Sequence, residues 1–180
     1  MTLFGLFLIL GLILLIPTAY AAKIGAPYAP TRGRAIAKAF DQVGVGQGDK
    51  VVDLGTGDGK VLLAAAQRQA QAIGFELSPI MWIIAYLRCL RKKNIKVRYQ
   101  NFFKATLPED TTYIFCFLMP QNMPQVKNYL KTQHLPAAKA LLSYMFPLVD
   151  EKPLATIRTP KAGPIYVYDW ESISGDRQAR

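Results

Sequence analysis

The residues best able to do chemistry sit in one ten-residue string, VVDLGTGDGK, from Val51 to Lys60. An apolar run ends in Asp53, and glycine follows at alternate positions, Gly55, Gly57 and Gly59, with Thr56 between the first two. Glycine is needed where backbone approaches a ligand closely or takes a positive φ. The string leads into a predicted helix, whose first N–H groups are free to hold a negatively charged group. The spacing excludes a phosphate-binding P-loop, because Lys60 is followed by Val61 and Leu54 stands at the first glycine position. The dinucleotide pattern G-x-G-x-x-G also fails, since the third glycine comes one residue early. A second acid, Glu76, closes the next apolar run in Gly74-Phe75-Glu76. A carboxylate at that place can accept both hydroxyls of a ribose, or it can serve only as an acid at a helix start.

Other chemistries have little to work with. The chain has 180 residues, two cysteines and one histidine, His134. That excludes a disulfide scaffold and most zinc sites, and no metal is expected. Nucleophilic hydrolysis would depend on that single imidazole. With 51% hydrophobic residues the chain can build a core. Its net charge of +10 falls entirely after Ala22 and suggests an anionic neighbour, nucleic acid or lipid. The densest basic stretch, Arg88 to Arg98, contains no acid. It reads as a solvated helix end, with contact to anionic lipid or to RNA phosphates as alternatives.

Thr2 to Ala22 is a stretch of 21 uncharged residues, long enough as a helix to cross the roughly 30 Å hydrocarbon core of a bilayer. The competing reading is a cleaved signal peptide, with Ala19-Tyr20-Ala21 as the cleavage site. No Lys or Arg precedes the apolar run, whereas Lys23, Arg32, Arg34 and Lys38 follow it. That asymmetry favours a retained single-pass anchor with the rest of the chain in the cytoplasm.

The elements that must position the glycine string alternate in type. After a Pro-rich link, Thr31 is expected to cap a helix from Arg32 to Val43. Strands are expected at 50–54, 72–76, 95–100, 112–118, 138–146, 154–159 and 165–170. Helices are expected at 60–71, at 79–92 behind a Ser78 cap, and at 121–132. This pattern predicts an α/β fold: a doubly wound, mostly parallel, Rossmann-like sheet of seven strands with an antiparallel edge, preceded by one N-terminal transmembrane helix. The expected domains are an anchor at 1–22, a linker and helix at 23–48, and a catalytic domain at 49–180.

An acid two residues before G-x-G-x-G resembles motif I of the class I S-adenosylmethionine-dependent methyltransferases. The further strings Gly74 to Pro79, Leu118 to Met123 and Tyr168-Asp169 resemble the protein-lysine methyltransferases of the adenine nucleotide translocase and ATP synthase c-subunit type. So does Tyr28-Ala29-Pro30 just before the domain. The resemblance implies S-adenosylmethionine as cofactor. It implies that Asp53, Gly55, Thr56, Gly57 and Gly59 hold the methionine part, Glu76 the ribose, and Asn101, where the family usually has Asp, the adenine amino group. Aligning an amine with the activated methyl makes Tyr28, Pro120 and Gln121 the candidates for the amine end, with a membrane-interface aromatic as the equal alternative for Tyr28. The resemblance further implies a protein partner offering a target lysine, itself membrane-embedded, with the apolar helix contacting lipid. The Asn/Asp-Pro-Pro-Tyr/Phe string of many base- and glutamine-methylating enzymes is missing after the fourth strand, so nucleic acid is not the favoured partner. An RNA or small-molecule methyltransferase and a non-catalytic nucleotide-binding module are the alternatives. Phe102 is assigned equally to core and adenine neighbour, and Met119 and Met123 to packing.

Overall fold

A computed structural model describes residues 2–24 and 31–175. Its centre is a seven-stranded sheet in the order β3-β2-β1-β4-β5-β7-β6. The strands are β1 (Lys50–Leu54), β2 (Gln71–Glu76), β3 (Ile95–Tyr99), β4 (Tyr113–Cys116), β5 (Ala140–Tyr144), β6 (Ala155–Ile157) and β7 (Ile165–Asp169). The first five pair in parallel. β7 inserts antiparallel between β5 and β6, so the closing hairpin forms the expected antiparallel edge.

The helices are α1 (Leu3–Ile24), α2 (Gly33–Val43), α3 (Lys60–Gln67), α4 (Pro79–Cys89), α5 (Met123–Lys131) and α6 (Trp170–Ser174). Alternate residues of each central strand face opposite layers. Val51, Ala72, Phe115 and Leu142 meet Ile36 and Phe40 of α2 and Val61, Leu62 and Ala65 of α3. Val52, Ile73, Ile114 and Leu141 meet Met123, Val126 and Leu130 of α5 and Ile173 of α6. This burial on both faces explains the unbroken apolar run of β4.

Several boundaries differ from expectation, each for a local reason. Thr31 is not the cap of α2. Arg32 flanks the helix in extended conformation, and its carbonyl accepts from the N–H groups of Ala35 and Ile36. α3 ends at Gln67 rather than 71, because Gln69 adopts a φ of 63° and turns the chain directly into β2. α4 stops at Cys89, short of 92, while Ser78 caps it as expected, its hydroxyl accepting from Met81 N–H at 3.3 Å. The helix expected from Gln121 begins as a 3-10 turn, Pro120–Asn122, and becomes α-helical only at Met123. Trp170, expected to end the last strand, instead opens α6, whose five residues are too few to show a helical period.

α1 is long and apolar enough to cross a membrane, and its side chains from Leu3 to Ile16 lie largely exposed. Its far end meets the sheet domain. Ala21 is buried, and Ser78 Oγ lies 3.2 Å from Thr18 Oγ1.

Candidate active site

β1 lies between β2, whose connection runs to one side, and β4, whose connection runs to the other. The carboxyl ends of strands at such a switch point form a crevice. The glycine string occupies it. Gly55, Gly57 and Gly59 have φ values of 86°, 54° and 79°, all in the region that side chains disfavour. The Gly55 and Thr56 N–H groups donate to the Phe75 carbonyl at 3.0 and 2.8 Å, tying the loop to β2.

Asp53 ends on the buried side of this loop, with 2% of its surface exposed. One carboxylate oxygen, Oδ2, accepts from the Thr56 hydroxyl at 2.8 Å. Among the described residues Oδ1 has no hydrogen-bond partner. Burial, opposed by the Thr56 hydrogen bond and reinforced by the negative neighbours Glu76 and Asp58, pushes the carboxyl up to about 7. Glu76, on the adjacent strand, reaches back over the loop. Its Oε2 accepts from Gly57 N–H at 2.8 Å, and its Oε1 accepts from the N–H groups of Leu77 and Ser78 at 2.9 and 2.8 Å. Burial raises this carboxyl as well, and the three backbone donors hold the rise in check. Two buried carboxylates side by side, with no cation between them among the described residues, form a site that favours a positively charged guest.

Two supports of this arrangement are not evident from motif spacing. Asp53 pairs with Gly74 across the β1–β2 ladder. A Cβ on Gly74 would lie 2.7 Å from the Thr56 side chain and from Leu62 Cδ1, so only glycine lets Thr56 cross β2 to reach Asp53. Arg88 of α4, which the sequence groups with the solvated basic stretch, instead grips the loop. It donates to the Asp58 carbonyl at 2.9 Å and pairs with the Asp58 carboxylate, which Lys60 also meets at 3.1 Å. Partial burial disfavours the Asp58 charge, but Lys60 and Arg88 outweigh it and hold that carboxyl below its ordinary value. Asp58 is thus neutralised by Lys60 and Arg88, whereas Asp53 has no such ion pair among the described residues.

The remaining expected site residues are less tightly gathered. Asn101 follows β3, next to Glu76, whose carbonyl accepts from Gln100 N–H at 3.0 Å. Its Oδ1 already accepts from Phe103 N–H at 3.0 Å as the cap of a short 3-10 turn. Phe102 is buried core, 4.1 Å from the Phe103 ring and 5.7 Å from that of Tyr129. Pro120 and Gln121 are exposed in the turn after β4. Leu118, just before them, sits where a Cβ on Gly55 would be 3.7 Å away, so this turn borders the glycine loop. Met123 is buried and Met119 half-buried. Tyr28 lies outside the described residues. In the Tyr168-Asp169 pair, Tyr168 is fully buried and its hydroxyl accepts from Leu148 N–H at 2.8 Å, a structural duty.

This strand order, with a glycine loop at its switch point and acids at the carboxyl ends of β1 and β2, defines the class I S-adenosylmethionine-dependent methyltransferase fold. The chain belongs to the ANTKMT methyltransferase domain family, whose model matches residues 53–155. It is 33% identical over 95 residues to the ATP synthase c-subunit lysine N-methyltransferase of Xenopus laevis, covering 51% of this chain and 41% of that protein. It is 28% identical over 139 residues to the adenine nucleotide translocase lysine N-methyltransferase of Mus musculus, covering 75% and 59%. The chain thus spans about half the length of these relatives. Among solved structures, an RNA methyltransferase from Salinibacter ruber in complex with S-adenosyl-L-homocysteine superposes with a TM-score of 0.71. It shares 20% identity over 78% of this chain and 93% of that one, a likeness of fold.

Proposed function

We propose that this chain is a membrane-anchored enzyme that methylates a lysine side chain of a membrane protein. The observation that carries the reading is the pair of buried acids, Asp53 and Glu76, joined across the glycine loop. S-adenosylmethionine fits this set. Its cationic methionine end suits Asp53, whose Oδ1 is without a partner among the described residues and whose charge is uncompensated. Glu76 keeps a lone pair on Oε2 for a ribose hydroxyl, the backbone of Gly55, Gly57 and Gly59 admits close approach, and Asn101 keeps its amide N–H groups and one lone pair for the base. When bound, the cofactor supplies a methyl group already activated by its positive sulfur.

The protein's part is then to align a neutral amine and keep water away. Correct placement supplies most of the advantage in such a reaction. A dry approach lowers a lysine's pKa and so favours the neutral form. Carbonyls of the Leu118 to Pro120 stretch, together with Gln121 and Tyr28, are assigned to orient that amine. No strong general base is required if water carries the proton away. Both relatives are named for lysine methylation, one of the ATP synthase c-subunit and one of the adenine nucleotide translocase, which supports lysine as acceptor. The exposed apolar α1 supports the anchor, residues 1–22, with 23–48 as link and helix and 49–180 as the catalytic domain, and the Lys and Arg that follow the apolar run support the cytoplasmic side for that domain.

The test compares membrane proteins from cells with and without the gene by mass spectrometry, alongside transfer of labelled methyl to membrane protein and to RNA. Loss of a methylated lysine with the gene is the expected result. Label in RNA alone would overturn the acceptor, and failure to bind S-adenosylmethionine in calorimetry would overturn the enzyme. A reporter fused after Arg180, with N-terminal sequencing, tests the anchor. An exported reporter or a mature chain starting near Ala22 would sink it.

A further inference from the structure

α4 breaks the usual pattern of a helix packed on a sheet. Such a helix is apolar toward the core and polar toward water, and one apolar all round is normally buried. Ala85 and Cys89 of α4 face the core. The opposite side carries Ile83, Ile84, Tyr86 and Leu87, with Leu90 following, and Leu87 and Leu90 are 63% and 59% exposed. Apart from Arg88, which is committed to Asp58, the exposed face has no charged residue. Beside it, Trp82 stands 5.6 Å from the Tyr86 ring and 5.7 Å from the ring of exposed Tyr99 on edge strand β3.

Three observations identify what covers this face. The first is continuity with α1: the Thr18–Ser78 contact joins the end of the apolar helix to the start of α4. A bilayer-spanning α1 that starts at Leu3 reaches Thr18 after about 24 Å of rise, within the last turns of the roughly 30 Å span, so the start of α4 lies at the interfacial end of that span. The second is the aromatic composition, since Trp and Tyr favour that depth. The third is charge. From Leu77 to Pro108 the chain has seven Lys or Arg and no Asp or Glu. Arg91, Lys92, Lys93 and Lys96 are exposed and, among the described residues, make no ion pair. Lys92 and Lys96 line a pocket of about 320 Å³ between α4 and β3, together with Tyr86, Leu90, Ile95 and Val97. An apolar floor with a cationic rim is the form that receives a phospholipid.

We propose that the outer face of α4, with the Arg91–Lys96 segment, docks into an anionic bilayer surface as a second membrane contact besides α1. This rests on the anchored reading above. It follows that the Glu76 end of the cofactor site, which adjoins Ser78, is held close to the membrane plane. Side chains a short distance above the bilayer are then within reach, and distant soluble ones are not.

The test uses the full chain in vesicles of phosphatidylcholine with or without phosphatidylglycerol. An environment-sensitive dye is placed at Leu87→Cys, at Ile9→Cys in α1, or at Glu109→Cys before β4, the native cysteines being buried. In anionic vesicles the Leu87 and Ile9 dyes should be quenched by spin-labelled lipid, while the Glu109 dye stays in water. Lys92→Gln and Lys93→Gln should each weaken Leu87 docking roughly fivefold at low salt. Ile9 quenched with Leu87 in water would overturn the docking and leave the anchor standing. Both dyes in water would overturn both. Leu87 quenched with Ile9 in water would support the docking and remove the anchor. Shielding of Leu87 that follows protein concentration and ignores lipid would mean a second copy covers the face, and would overturn the proposal.

Discussion

The two sides of the crevice are built differently. On the β1–β2 side every element is over-determined: Asp53 is bonded to Thr56, Glu76 takes three backbone N–H groups, and Asp58 is clamped by Lys60 and Arg88. On the β4 side Pro120 and Gln121 stand exposed in a one-turn 3-10 segment, and Gln121 makes no side-chain hydrogen bond among the described residues. The contrast fits a division of labour. On the proposed function the cofactor meets the rigid, pre-formed half, and pre-formed donors and acceptors cost no ordering when a ligand arrives. The β4 half is left open among the described residues, which suits the acceptor role proposed for it.

The largest effects should come from the rigid half. Glu76→Ala removes the acceptor of three backbone donors as well as the proposed ribose contact, and Asp53→Ala removes the proposed counter-charge. Each should weaken S-adenosylmethionine binding by about 1.5–3 kcal/mol, roughly tenfold to a hundredfold, measured by calorimetry on the folded variants. Unchanged affinity in either would abolish the contrast between the two halves.

Acidity should sharpen it. Asp53 binds its proton more tightly in the folded chain than when unfolded, with a native value of about 7. The folded state therefore carries the extra proton between the ordinary carboxylate range and about pH 7. Stability of the ligand-free protein from this group is full below that window and is lost as pH rises through about 7. Glu76 shifts in the same direction. Cofactor affinity should run the other way and rise with pH through about 7, by at most roughly tenfold per unit, because the charged Asp53 is the form that holds a cation. Thermal melts with and without S-adenosylmethionine from pH 5 to 8 would reveal the opposed slopes, and parallel slopes would contradict the assignment.

A smaller loss is expected at Gly74. The added methyl of Gly74→Ala meets Thr56 and Leu62 at 2.7 Å and should destabilise the fold by about 1–3 kcal/mol, seen in urea unfolding. Cofactor affinity should fall with it, because Thr56 is pushed off Asp53. The smallest effect on the scaffold belongs to Gln121→Ala, which should move stability by no more than about 0.5 kcal/mol and leave cofactor binding unchanged. Its signature is a lower rate of methyl transfer at saturating cofactor. A change in cofactor affinity instead would assign Gln121 to the rigid half.

Much of this architecture follows from local chemistry that the chain displays along its length. Alternate glycines after an acid need little context, because positive φ values and close backbone approach admit few other residues. The alternation of buried runs and helices predicts the parallel sheet, and two strands separated only by a short loop predict the antiparallel edge, since a parallel crossover needs about a dozen residues or more. Element ends were legible less well: the turn at Gln69 and the 3-10 start at Pro120 depend on what the chain must meet next, not on its own propensity. Relations between distant residues were settled by packing alone. Gly74 is glycine because Thr56 crosses it, and Arg88 is a loop clamp because α4 lies over Asp58. The apolar residues of α4 face outward because Ala85 and Cys89 suffice for the core contact. No periodicity along the chain encodes such pairings, because the free energy that selects them arises between segments brought together by the sheet.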